Sequence, residues 1–150
     1  MIRSSGRLRL CAALIALNLA FIWGNSLLPG EVSGALSDWV RALLAAIWPG
    51  EGPVTSGGGL LRKIAHFSEF ALLGGLLSWL FSMLRRRPGW AFLCGFLTAC
   101  VDETIQRFVP DRGPSLFDVG IDTCGVATGM LLIFIGHTVW KKQQNPLEDK

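Results

Sequence analysis

At 150 residues, 51% of them hydrophobic and 17% charged, with a mean hydropathy of +0.45, the chain is too apolar for an ordinary soluble domain of its length. These values point to an integral membrane protein. The 14 basic and 11 acidic residues leave a net charge of only +3, and the basic ones sit in short clusters beside apolar runs, which argues against a nucleic-acid surface.

Arg3, Arg7 and Arg9 precede an apolar run over about residues 10–28, closed by Pro29 and Gly30. Its length suits a first membrane span better than the shorter apolar core of a signal peptide, although Ser33 and Ala35 would provide a cleavage site for the latter. Residues 31–62 are rich in Gly, Pro and Ser at both ends. Their middle, SDWVRALLAAIW, is periodic: Ser37 can cap a helix, Trp39, Leu43, Ala46 and Ile47 line one face, and Arg41 lies off it. A short amphipathic helix in the membrane interface is expected there, or a packed helix covering the bundle, followed by a flexible TSGGG joint.

The second span is expected at about 64–84, opened by Lys63, His66 and Glu69 and closed by Arg85, Arg86 and Arg87. The third, about 89–109, is apolar in its first half and carries Asp102, Glu103, Gln106 and Arg107 in its second. The fourth, about 116–140, ends on Trp140, Lys141 and Lys142. Residues 1–150 thus read as a single membrane domain, an all-α bundle of four transmembrane helices with a short extracytoplasmic amphipathic helix between spans one and two. Nine of the 14 basic residues fall in the N-terminus, the second-to-third loop and the tail. Those segments share one side of a four-span protein, so the positive-inside rule places both termini in the cytoplasm.

That topology brings the polar start of span two, the polar end of span three, the loop after it and the start of span four to the extracytoplasmic side. At ~100° per residue, Asp118, Asp122, Gly125, Gly129 and Gly136 fall within an arc of about 60° on span four. Gly95, Ala99, Asp102 and Gln106 make a similar stripe on span three, with Glu103 at its edge. Lys63, His66 and Phe70 share a face of span two, with Glu69 beside His66. Gly125 and Gly129 form a small-xxx-small helix contact, and Gly95 with Ala99 serves the same purpose on span three. Cys11, Cys94, Cys100 and Cys124 lie in apolar runs without metal-binding spacing and read as buried, inert thiols. His137 reads as structural.

Lys63, His66, Glu69 and Phe70, then Asp102, Glu103 and Gln106, then Arg112, Ser115 and Asp118, and finally Gly125 and Gly129 resemble the signature of the VanZ-like family of small bacterial membrane proteins, over about residues 63–129. Phe70 stands where that family usually has Tyr, and Asp122 where Asn is expected. The family is named for a member linked to resistance to the glycopeptide teicoplanin. The resemblance implies a bacterial cytoplasmic membrane location, multi-pass, and an envelope or antibiotic-resistance phenotype; it implies no reaction.

Ionisable groups at membrane depth are costly and mark working sites. The expected ligand-binding set is Lys63, His66, Glu69, Asp102, Glu103, Gln106, Arg112, Ser115, Asp118 and Asp122. Two outward helix N-termini, together with Lys63, Arg107 and Arg112, suit an anionic headgroup. The carboxylates neutralise the basic residues, exchange protons with His66, or hold a divalent cation that bridges to phosphate. No zinc site and no organic cofactor is expected, since the cysteines lie elsewhere and only one histidine is near. The ligand on this reading is a membrane lipid or a lipid-linked envelope precursor. His66 and Glu69 could act as general acid and base, but no nucleophile motif accompanies them, so whether the chain is an enzyme stays open. The alternatives are a small ion-coupled transporter and a structural partner of another membrane protein. Within the set, Ser115 and Asp118 also form a capping box, Arg112 could simply pair with Asp111 or another carboxylate, and His66 could be a satisfied buried histidine.

Overall fold

The computed structural model describes residues 2–47 and 59–144. They form five helices: α1 (Ile2–Ser26), α2 (Gly30–Ile47), α3 (Leu60–Met83), α4 (Pro88–Gln106) and α5 (Leu116–Gln144), with no strand among the described residues. Three of these, over Ser5–Ser26, Leu60–Met83 and Leu116–Lys141, are long and apolar enough to cross a membrane. α4 is not among them, because Pro88 and Gly89 at one end and Asp102, Glu103 and Gln106 at the other leave a short apolar stretch between.

The helices outrun the apolar segments that announced them. α1 begins before Leu10 and ends at Ser26, α3 begins three residues before Lys63, and α5 continues past Trp140. Basic residues extend a helix beyond the hydrocarbon because their long stems can carry the charge to the interface. α2 differs most from expectation. It starts at Gly30, immediately after Pro29, with the Ser33 N–H already bonded to the Pro29 carbonyl at 3.0 Å. Ser37 therefore lies inside the helix and caps nothing; its hydroxyl donates to the Ser33 carbonyl at 2.9 Å. Apart from Gly59, the expected TSGGG joint falls outside the described residues, as do Trp48 and residues 145–150.

α3 and α5 make the closest pair. Small residues let the two backbones approach: a side chain at Gly129 would strike the Ala71 carbonyl, one at Gly125 would meet the Phe67 carbonyl, and one at Gly74 would strike the Val126 carbonyl. Val126 is fully buried, and its methyls fill the space a side chain at Gly95 of α4 would need. One valine of α5 thus seats against a glycine on each of two neighbouring helices. Gly136, on the same stripe, meets nothing within 4 Å. Ile22, Phe70, Leu73, Leu77, Ala91, Ala99 and Val126 complete the core, and α1 lies against α3 and α4 through Ile22 and Cys11. Leu17, Phe21, Leu72, Leu97, Leu132 and Phe134 point outward, as residues facing lipid tails do. Cys124 also points outward and is not buried as expected; it is a free thiol, as are Cys11, Cys94 and Cys100.

The α3–α4 turn closes as a Schellman motif, with Arg86 N–H on the Phe81 carbonyl (2.9 Å) and Arg85 N–H on the Ser82 carbonyl (3.1 Å). Arg85 takes the left-handed position, φ 52°, where glycine is usual. At the other end, the α4–α5 loop is tied to the α1–α2 corner. Gly30 N–H donates to the Pro110 carbonyl at 3.1 Å, and a Cβ on Gly30 would strike the Asp111 carbonyl. This tie holds the polar loop over the ends of α1, α3, α4 and α5.

Candidate functional site

The C-terminal ends of α1 and α4 and the N-terminal ends of α3 and α5 meet at one end of the bundle, joined by side-chain hydrogen bonds. Asn25 of α1 donates to Glu69 of α3 at 2.9 Å. Gln106 of α4 donates to Asp102 one turn back at 3.0 Å, and its amide lies 3.4 Å from the Ser26 hydroxyl of α1. Asp102, Glu103 and Gln106 are all buried, because the stripe that carries Gly95 and Ala99 toward the core carries these residues to the same depth at the other end.

His66 lies at the centre. Its Nδ1 is 3.8 Å from an oxygen of Asp102 and 3.8 Å from one of Asp122, so three helices each contribute one member of this group. These separations exceed hydrogen-bond length. Both carboxylate oxygens of Asp122, one oxygen of Asp102 and one of Glu69 are buried without a hydrogen-bond partner.

Around this centre the remaining residues take separate duties. Lys63 pairs with Asp118 at 3.9 Å and lies 4.8 Å from the Phe117 ring centroid, a cation–π contact at the rim. The Ser115 hydroxyl accepts from the Phe117 N–H at 3.1 Å and caps α5. The reciprocal partner that a capping box would take from Asp118 comes from α4 instead: Glu103 accepts the Ser115 N–H at 2.8 Å. Arg112 pairs with no carboxylate. Its Nε and Nη2 donate to the Leu28 and Asn25 carbonyls at 3.2 and 2.9 Å, where a cation complements the C-terminal dipole of α1. Its Nη1 is buried and has no partner. Burial, and secondarily Arg62, pulls the Arg112 pKa below its ordinary value, with Asp102 and Glu103 opposing. The guanidinium still stays charged, since that ordinary value is so high.

Two adjoining clefts open here and share Arg62 and His66. The narrow one, about 10 Å³, is lined by Lys63, Glu103, Gln106, Asp118 and Asp122 besides the shared pair. It has room for about one water molecule or ion. The wider one, about 180 Å³, lies between the end of α1, α2 and α3, with Asn25, Ser33, Ser37, Glu69 and Arg112 among its polar lining and Leu28, Leu36, Val40 and Leu61 among its apolar lining. Every residue of the expected ligand set lines one of these clefts or bonds to a residue that does. Five polar contributors lie outside that expected set: Asn25, Ser26 and Arg62, with Ser33 and Ser37 of α2. The first two end an apolar run and carried no signal beyond their polarity; Arg62 was passed over for its neighbour Lys63.

A segment of 77 residues is 31% identical to an uncharacterised protein of the fission yeast Schizosaccharomyces pombe, a match covering 50% of this chain and 48% of that protein. The chain thus spans about half the length of that relative. No solved structure matches. The VanZ/LLP1 family model matches residues 9–137. With nearly the whole chain covered, and with membrane-crossing helices meeting at a buried polar end, this multi-pass membrane protein belongs to the VanZ/LLP1 family.

Proposed function

We propose that the wider cleft binds the anionic headgroup of a membrane lipid or of a lipid-linked envelope precursor. The observation that carries this reading is Arg112. Two of its nitrogens are fixed on backbone carbonyls, and the third, Nη1, is buried and unpartnered beside a cleft that Arg62 and His66 also line. A pre-oriented guanidinium with one nitrogen free suits a phosphate or carboxylate oxygen. The apolar half of the lining, from α2 and α3, suits the start of an acyl or prenyl chain. On this reading α4 crosses the membrane beside the other three spans, both termini are cytoplasmic, and the polar end faces outward. α2 lies in the interface as a lid over the cleft: Val32, Leu36, Trp39, Leu43 and Ile47 are exposed along one side of it, as a helix seated in headgroups requires. A changed glycopeptide susceptibility is the cellular effect to look for in a bacterial host.

The test is the lipid that stays with the protein. Wild type and Arg112→Gln, purified in mild detergent, are extracted and their bound lipids measured by mass spectrometry. Enrichment of anionic over zwitterionic lipid in wild type, lost in Arg112→Gln while the protein stays monodisperse, is expected. Equal lipid profiles in the two proteins would refute the reading.

A further inference from the structure

We propose that His66, Asp102 and Asp122 hold a first-row divalent cation, of the Mn²⁺, Fe²⁺ or Zn²⁺ kind, between α3, α4 and α5. One ligand atom from each residue lies within 4.8 Å of the others, and His66 Nδ1 is 3.8 Å from both carboxylates. The two His66 separations are too long for a hydrogen bond, yet shorter than the ~4.4 Å that two ligands can span across one ion at ~2.2 Å from each.

An independent observation points the same way. Asp122 is 1% exposed and neither of its carboxylate oxygens has a hydrogen-bond partner; Asp102 is 0% exposed and one of its oxygens has none. Two carboxylates in a low-dielectric interior must be neutralised, by a proton or by a cation, and a cation serves both at once. Among the described residues no lysine or arginine lies within ion-pair distance of either: Lys63 is on Asp118, and Arg112 is on the α1 carbonyls. The Asp102 oxygen that faces His66 at 3.8 Å, Oδ2, also accepts from Gln106 at 3.0 Å, the kind of outer hydrogen bond that orients a metal ligand. An imidazole among the donors disfavours Mg²⁺ and Ca²⁺, which take all-oxygen sets. The adjoining narrow cleft has room for a water on an open coordination position and for nothing larger. Cation binding stands without the lipid reading; only contact between the cation and a headgroup phosphate would rest on it.

The full chain, carrying a tag without histidine, is stripped with EDTA in detergent and dialysed against Mn²⁺ or Zn²⁺, and its metal is counted by mass spectrometry. One ion per chain is expected, unaffected by excess Mg²⁺. Outer-shell changes alone weaken metal sites by about 10- to 100-fold, so Asp122→Asn and His66→Gln should lose at least that much, while Asp38→Asn on α2 keeps the ion. No bound ion in wild type, or full binding in Asp122→Asn, overturns the proposal. Should these variants fail to fold, the wild type decides: Mn²⁺ or Zn²⁺ should raise its melting temperature and EDTA reverse the rise, and an unmoved transition counts against the site. The same samples separate this inference from the lipid reading. Anionic lipid retained without metal sinks the cation site alone, and metal retained without lipid preference sinks the headgroup reading alone.

Discussion

At the scale of single residues, the polar end divides into groups that finish the fold and groups left with bonding capacity to spare. Ser115 belongs to the first kind, since its hydroxyl caps α5 and its N–H is taken by Glu103. Ser115→Ala should therefore cost about 1 kcal/mol of stability, measured by thermal or denaturant unfolding in detergent, with lipid retention unchanged. A loss of bound lipid at normal stability would move Ser115 into the binding site. Arg112 belongs to both kinds. Arg112→Lys keeps the charge but lacks the planar fork that holds two carbonyls while aiming a further nitrogen at the cleft, so it should lose most of the anionic-lipid preference that wild type shows. Retention of that preference by the lysine variant, measured on co-purified lipid, would mean that charge alone suffices. The role of Arg112 was only half legible in the sequence. The chain shows a cation in a loop after a carboxylate-rich helix end, whereas its partners turned out to be backbone carbonyls, which every residue has and no pattern marks.

At the scale of elements, the small-residue stripes decide how close the helices come, because burial of apolar surface gives little drive once lipid replaces water. Gly129→Leu and Gly125→Leu should prevent α3 and α5 from closing and reduce the protein recovered as a monodisperse peak. Gly136→Leu, with open space around it, should behave as wild type. Equal recovery of all three would contradict the α3–α5 contact. The glycines of α5 could be read in advance because their period matches a helix face. Their partners on α3, Phe67 and Ala71, could not, since helical phase gives the face of one helix but not which neighbour it meets. The same limit hid Asn25 and Ser26, whose worth depends on α1 ending beside Glu69 and Gln106. Arg62 was hidden differently: it is adjacent to Lys63 and so ~100° away on the helix, and a single-face reading keeps one of the two. α2 was foreshortened because Gly30, Ser33 and Gly34 are weak helix formers, and only the Pro29 start signal and the anchored loop outweigh that weakness.

At the scale of the molecule, the arginine clusters and the polar site sit at opposite ends. Arg7, Arg9 and the Arg85–Arg87 turn lie away from the polar end formed by Glu69, Asp102, Glu103, Arg112 and Asp122. On the proposed four-span topology, the positive-inside rule directs the polar end outward. A reporter enzyme that works only outside the cytoplasm should be inactive when fused after Lys150 and active when inserted between α2 and α3; the reverse pattern would turn the site inward. The proposed headgroup site stands or falls with its ligand. Its most direct test is an experimental structure of the protein in a bilayer of anionic lipid. It should show a headgroup in the cleft between α1, α2 and α3, with a phosphate oxygen within hydrogen-bond reach of Arg112 Nη1. A cleft holding only acyl chains, with Arg112 Nη1 turned to a protein carboxylate, would contradict it.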